Sequence, residues 1–159
     1  MKTLVLVRHA KADHGSPSLD DFDRPLNQRG KRDAPAMARQ LRTTGVRVDA
    51  LISSPAVRAL STAEDFAMEI NLSIRTDKRI YEAGLGELLA VVRELDDCHS
   101  SAMLTGHNPG LSELLRYLTG ENFAELPTAA VAVIELSLES WQNTSAGKGV
   151  LKSGFSPQE

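Results

Sequence analysis

Thr3-Leu4-Val5-Leu6-Val7-Arg8-His9-Ala10 opens the chain with an unbroken apolar run that ends on a guanidinium and an imidazole. A strand with one wet face alternates apolar and polar residues, whereas a strand apolar at every position is covered on both faces. The stretch therefore predicts an inner strand of a mostly parallel sheet. Ala50–Ile52 and Ala102–Leu104 repeat the pattern, and Ala130–Leu138 and Val150–Phe155 read as further strands. Between them, apolar stripes recur at helical spacing: Ala34, Met37, Ala38 and Leu41; Leu85, Leu88, Leu89, Val92 and Leu95; Leu111, Leu114, Leu115 and Leu118. Another helix is expected after Ser54, with that serine as its cap, Pro55 in its first position and Val57, Leu60 and Phe66 turned inward. Strands alternating with helices give a three-layer α/β/α sandwich, with helices on both faces of a mostly parallel central sheet. Pro35 inside the helical segment 27–44 predicts a kink or a late start. The Ser-, Asn- and Gly-rich segment 139–149 reads as a loop between the last two strands.

The chain has 159 residues, 42% hydrophobic and 25% charged, enough for one domain spanning 1–159 with a sizeable core. Aromatics are only 4%, so Leu, Val, Ile and Ala must carry that core and stacking platforms for single-stranded nucleic acid are scarce. A net charge of −3 lacks the basic field that draws proteins onto nucleic acid or anionic membranes, so any anion site has to be local. Cys98 is the only cysteine, which excludes an internal disulfide and a Cys-rich metal centre. The opening run is cut by Arg8 and His9 well short of the roughly 7–15 apolar residues of a secretory signal. No stretch reaches the roughly 20 apolar residues of a membrane span, and the expected location is the cytoplasm.

Ligands of open α/β sheets bind beyond the carboxyl ends of the strands. Arg8 and His9 follow the first strand, Ser53-Ser54-Pro55 and then Arg58 follow the second, and Thr105-Gly106-His107-Asn108-Pro109-Gly110 follow the third. Taken singly, each has a structural reading: Arg8 as a surface ion pair, His9 as a hydrogen-bonded imidazole, Arg58 as a solvated helix cation, His107 as a turn residue. Their delivery to one rim overrides those readings. Two rigid guanidinium forks with two imidazoles suit a phosphoryl group better than any other common substrate.

Val7-Arg8-His9-Ala10, Asp23-Arg24-Pro25-Leu26-Asn27-x-x-Gly30, Ile52-Ser53-Ser54-Pro55-x-x-Arg58-Ala59-x-x-Thr62-Ala63, Tyr81-Glu82-Ala83 and Gly106-His107-Asn108-Pro109-Gly110 together resemble the histidine phosphatase superfamily. The likeness is nearest to its small SixA-type phosphohistidine phosphatases and runs from about Thr3 to Leu118. It implies a phosphoglycerate mutase-like fold and a phosphatase without a cofactor or metal. His9 would be the nucleophile, with Arg8, Arg58 and His107 binding phosphate and Glu82 donating the proton. The implied substrate is a phosphohistidine-bearing protein. A broad small-molecule phosphomonoesterase and a non-catalytic phosphate-reading protein on the same fold are the alternatives, and the oligomeric state is left open. Only one helix's worth of chain between Arg58 and His107 is available for a lid, which disfavours a sugar-phosphate mutase.

Several positions carry a second reading. Ala10 stands where the superfamily usually has glycine, and its methyl is expected to crowd the loop. Ser53 reads as bonding the backbone, Asp23 with Arg24 as a pair fixing the loop before Pro25, and Asn108 as either a side-chain contact or a turn former. Glu82 could instead cap the helix beginning near Leu85. A metal site from His9, Asp13, His14 and His107 lacks ligand spacing on one helical turn or strand face. No turn has the glycines and lysine of a nucleotide-binding phosphate loop.

Overall fold

The opening run forms β1 (Lys2–Arg8), whose Leu4 and Leu6 are buried on one face of the sheet and whose Val5 and Val7 are buried on the other. In the computed structural model, which describes residues 1–158, it is followed by α1 (Gln28–Thr43), β2 (Ala50–Ser53), α2 (Val57–Ile70), β3 (Ile74–Thr76) and α3 (Leu85–Arg93). Then come β4 (Ser101–Gly106), α4 (Gly110–Thr119), β5 (Val131–Leu136) and β6 (Gly149–Phe155). Among the described residues the strands form one six-stranded sheet in the order β3-β2-β4-β1-β5-β6. The first four run parallel, whereas β5 is antiparallel to β1 and β6 to β5. Helices α1 and α2 cover the face of Val5, Val7, Leu51 and Met103, and α3 and α4 cover that of Leu4, Leu6, Ile52 and Leu104. No helix among the described residues is long and apolar enough to cross a membrane.

The sandwich agrees with the sequence pattern, and four local expectations are corrected. The edge strand β3 leaves no trace in the sequence pattern, because Ile74 is half-buried, Arg75 and Thr76 are exposed, and the three carry no apolar run. Helix α1 starts at Gln28 and contains Pro35, so of the kink or late start expected at this proline the late start does not occur. Asn27 caps it by accepting the Gly30 N–H on Oδ1 at 2.9 Å. Ser54 does not cap α2. The helix begins after Ala56, and the serine hydroxyl accepts the Ala56 N–H at 3.2 Å in the preceding turn, leaving Pro55 outside. The inward stripe of α2 is Arg58, Ala59, Thr62, Ala63 and Phe66 rather than Val57, Leu60 and Phe66, a rotation that buries Arg58 and brings it to Asp21.

Segment 139–149 is a connection between β5 and β6, as expected, yet it supplies core. A 3-10 turn at Trp141–Asn143 buries Trp141 completely. The indole Nε1 donates to His99 O at 3.0 Å, and buried Lys2 Nζ lies 5.5 Å above the ring while donating to the Asp97 and His99 carbonyls. These contacts close the amino end of β1, opposite the rim that carries Arg8 and His9.

Gly30 is fixed by close approach. A methyl there would lie 2.1 Å from Lys11 O, the carbonyl that accepts the Asn27 N–H at 3.0 Å. Gly30→Ala is therefore expected to lower stability by about 1–3 kcal/mol through displacement of the Lys11–Asn27 contact. Urea unfolding measures this, and an unchanged midpoint would contradict it.

Candidate active site

Register brings the motifs together. Arg8 of β1 pairs with Gly106 of β4, and Ser53 of β2 pairs with Thr105, so the residues that follow each strand leave the sheet on one rim. The backbone of His9 is held on both sides: its N–H donates to Gly106 O at 3.0 Å, and its carbonyl accepts the Ala129 N–H at 3.0 Å. The Ala10 N–H donates to Thr62 Oγ1 at 2.9 Å, and the Thr62 hydroxyl donates to Arg58 O at 2.8 Å. Thr62 thus ties the loop after β1 to the first turn of α2. The Ala10 methyl does not crowd this loop, because it is buried in the apolar cluster of Val7 and Leu26.

Arg8, His9, Arg58 and His107 meet at this rim. The two imidazole rings lie 5.2 Å apart, and His9, Arg58 and His107 are each more than 90% buried. Arg8 Nη1 donates to Leu126 O at 2.9 Å, while Arg58 donates through Nη1 to Asp21 O at 2.7 Å and through Nη2 to Asp21 Oδ2 at 3.0 Å. His9 Nδ1 lies 2.7 Å from Ala10 O, and since a carbonyl only accepts, Nδ1 carries the proton and Nε2 the free lone pair. Among the described residues, the buried side-chain nitrogens without a hydrogen bond are Nε of Arg8, Arg24 and Arg58 and Nδ1 of His107. Buried polar atoms are normally satisfied. The unsatisfied nitrogens of Arg8, Arg58 and His107 beside the His9 imidazole suit an anionic acceptor.

A family model of the histidine phosphatase superfamily (branch 1) matches residues 4–147. The chain belongs to this superfamily. An uncharacterized protein of Mycobacterium tuberculosis is 29% identical over 155 residues, covering 91% of this chain and 96% of that one. A structure assigned as phosphohistidine phosphatase SixA from Agrobacterium tumefaciens superposes with a TM-score of 0.86 at 26% identity, over 99% of each chain. The protein histidine phosphatase SixA complexed with tungstate has the same fold, with a TM-score of 0.82 at 24% identity over 97% of this chain and 96% of that one. Family and neighbours support a phosphatase of the SixA type.

Sequence reading does not single out Asp21, and the partners of Arg24, Ser54, Asn108 and Ser53 come from the fold of this histidine phosphatase site. Asp21 collects Arg58, the Tyr81 hydroxyl on Oδ2 at 2.7 Å and Arg24 Nε at 3.2 Å from Oδ1. Arg24 therefore meets Asp21, not the Asp23 expected. Ser54 Oγ lies 2.8 Å from His107 Nε2. Ser54 Oγ also accepts the Ala56 N–H; in the tautomer where its own proton goes to Nε2, Nδ1 of His107 is the protonated, unpartnered donor. Asn108 acts through its side chain: Nδ2 donates to Leu126 O at 2.8 Å, the carbonyl that also receives Arg8. Ser53 bonds the backbone, donating to Ser54 O at 2.9 Å. None of these polar partners leaves a periodic trace, and only their presence in the motif segments could have marked them.

Glu82 is exposed next to Tyr81 with φ of 53°. It does not cap α3. Glu87 does, accepting the Gly84 N–H at 2.8 Å. The structure forms no hydrogen bond between Glu82 and the four clustered residues. Tyr81 packs edge-on against Phe22 at 5.1 Å and His107 at 5.5 Å, so a line of rings runs outward from His9. Asp13 and His14, the other members of the metal-site alternative, stand exposed on the loop after β1.

Burial above all, with Arg58, Arg8 and Arg24 adding to it and the Ala10 carbonyl opposing, depresses the His9 pKa to about 4. Burial, then His9 and Arg58, bring His107 to about 3, with Asp21 opposing. The Tyr81 hydroxyl first, then Arg58, hold the Asp21 carboxyl below its usual range. Both imidazoles are thus neutral at pH 7. Since each folded pKa lies below the 6.5 of a free histidine, the unfolded chain takes up these protons first as pH falls. Their contribution to stability is whole above about pH 6.5 and declines as the pH drops toward 4. Urea midpoints of the wild type should accordingly fall between pH 7.5 and 5 by more than those of His9→Gln. Parallel curves would contradict the depressed pKa.

Proposed function

We propose that this phosphatase removes phosphoryl groups from phosphohistidine on another protein, through a phosphohistidine intermediate on His9. The observation that carries the reading is the neutral His9 imidazole, Nδ1 tied to Ala10 O, surrounded by unpartnered nitrogens of Arg8, Arg58 and His107. His9 Nε2 attacks phosphorus and the Nε2–P bond forms, while the bond from phosphorus to the substrate ring, protonated on its other nitrogen, breaks and returns its electron pair to that ring, which leaves as neutral imidazole. Water then attacks the same phosphorus, the Nε2–P bond breaks, and inorganic phosphate leaves with His9 restored. Arg8, Arg58 and His107 match the charge on the equatorial oxygens throughout a loose transition state.

A protein substrate is supported by what the chain lacks room to do. Everything between α2 and β4 is spent on β3, a 3-10 turn and α3, and α3 buries Leu88, Leu89, Val91 and Val92 against the sheet. That leaves no helix to close over the rim, so a phosphorylated side chain has access. The rings of Phe22 and Tyr81 offer a wall beside which a planar imidazole can depart. A second reading, hydrolysis of small phosphate esters, rests on Glu82: with Glu87 capping α3, the Glu82 carboxyl is not spent on the helix, and in its protonated form it would donate a proton to a departing alkoxide.

Rapid quenching after mixing with a labelled phosphohistidine protein should trap an acid-labile, base-stable phosphoryl adduct. His9→Ala should abolish that adduct, and Arg58→Ala should slow turnover by about 100- to 1000-fold. An adduct that persists in His9→Ala would sink the mechanism. Glu82→Gln should slow hydrolysis of an alkyl phosphate by roughly 100-fold or more while sparing phosphohistidine, whose imidazole leaves without an acid. Equal losses on both substrates would remove Glu82 as a proton donor.

A further inference from the structure

Arg24 lies outside the cluster of Arg8, His9, Arg58 and His107, on the loop between β1 and α1. Its side chain is only 23% exposed, yet among the described residues the one polar partner of its guanidinium is Asp21, with Nε 3.2 Å from Oδ1 and without hydrogen-bond alignment. Arginines that serve as struts in this protein are better satisfied. Arg116 donates to Phe123 O and Glu125, and Arg79 spreads its nitrogens over Asp77 and Glu94. Arg24 keeps most of its donor fork unused where Arg8 and Arg58 already concentrate positive charge.

Three guanidiniums at one rim repel one another unless an anion joins them. Asp21 supplies part of that compensation, its Oδ2 receiving Arg58 Nη2 and Tyr81 and its Oδ1 facing Arg24. Glu125, whose charge also reaches Arg8, is shared with Arg116 at 3.2 Å. With both imidazoles neutral, Arg8, Arg24 and Arg58 against Asp21 leave an excess of two positive charges. A phosphoryl dianion brings the same number of negative charges.

We propose that Arg24 is a third guanidinium that grips the transferring phosphoryl group, with Asp21 as the positioning residue that aims both Arg24 and Arg58; this rests on the phosphoryl-transfer function proposed above. A reader of the sequence meets Arg24 beside Asp23 and pairs the two. The 3-10 turn Asp21–Asp23 instead brings Asp21 under the guanidinium and leaves Asp23 exposed.

The test uses orthovanadate as the anionic probe, with binding measured by calorimetry for the wild type, Arg24→Gln, Arg24→Lys and the control Arg47→Ala. Arg47 is 89% exposed at the far end of the sheet. Arg24→Gln should weaken vanadate about 10- to 100-fold, Arg24→Lys should recover part of the loss, and Arg47→Ala should change nothing. A second readout separates contact from support. His9 is faced by Arg8 from β1, Arg24 from the loop, Arg58 from α2 and His107 from the segment after β4. Arg24→Gln should therefore move the acid limb of kcat/KM on an aryl phosphate to higher pH, and Arg24→Lys should leave it in place. If Arg24→Gln binds vanadate like the wild type, or binds it weakly with an unmoved acid limb, Arg24 is a strut and the inference is overturned. If the wild type itself does not bind vanadate, the phosphoryl-transfer reading fails and this inference with it.

Discussion

Positive charge packed at the end of an apolar sheet has to be held apart and aimed, and in this protein the contact between Asp21 and Arg58 does both. The carboxylate and carbonyl of one residue take both terminal nitrogens of the guanidinium, which leaves Nε buried and unsatisfied. Tyr81 locks the same carboxylate from a segment sixty residues away in the chain. A loop, a helix and a turn are thereby fixed against one another before any substrate arrives. Fixed donors need no reorganisation when charge develops on a transferring group, which is where such sites gain most of their rate.

The opposite arrangement governs the histidines. Their burial removes water, and the neighbouring cations penalise protonation, so an imidazole that would be half-charged near pH 6.5 is held neutral. Electrostatics that suit an anion at this rim are therefore the same electrostatics that keep the His9 imidazole neutral. The expected cost is acid sensitivity of the fold. It is borne far from the end of the sheet where Lys2 and Trp141 close the core, so stability and chemistry are concentrated at opposite edges of β1.

Much of the site was legible in the sequence because strands and helices leave periodic traces. Arg8, His9, Arg58 and His107 each follow an apolar run by a fixed small number of residues, and in a parallel sheet every such position falls on the same edge. Ser54 and Asp21 were misread or overlooked for a common reason: their partners, His107 and Arg58, lie far away in sequence. Local rules gave Ser54 a cap and Arg24 the acid next to it. The folded chain gave the serine to an imidazole and the arginine to Asp21.

The sequence by itself determined the layers, the polarity of the sheet's inner strands and the chemical inventory of the rim, since burial on both faces and helical spacing are properties of consecutive residues. Tertiary structure alone decided which hydrogen-bond donors are spent and which are left over. That division depends on angles and distances between segments brought together from across the chain, as when Leu126 O takes Arg8 and Asn108, Asp21 takes Arg58 and Tyr81, and Nε of Arg24 comes within reach of a carboxylate without closing a bond. No pattern within one segment encodes it.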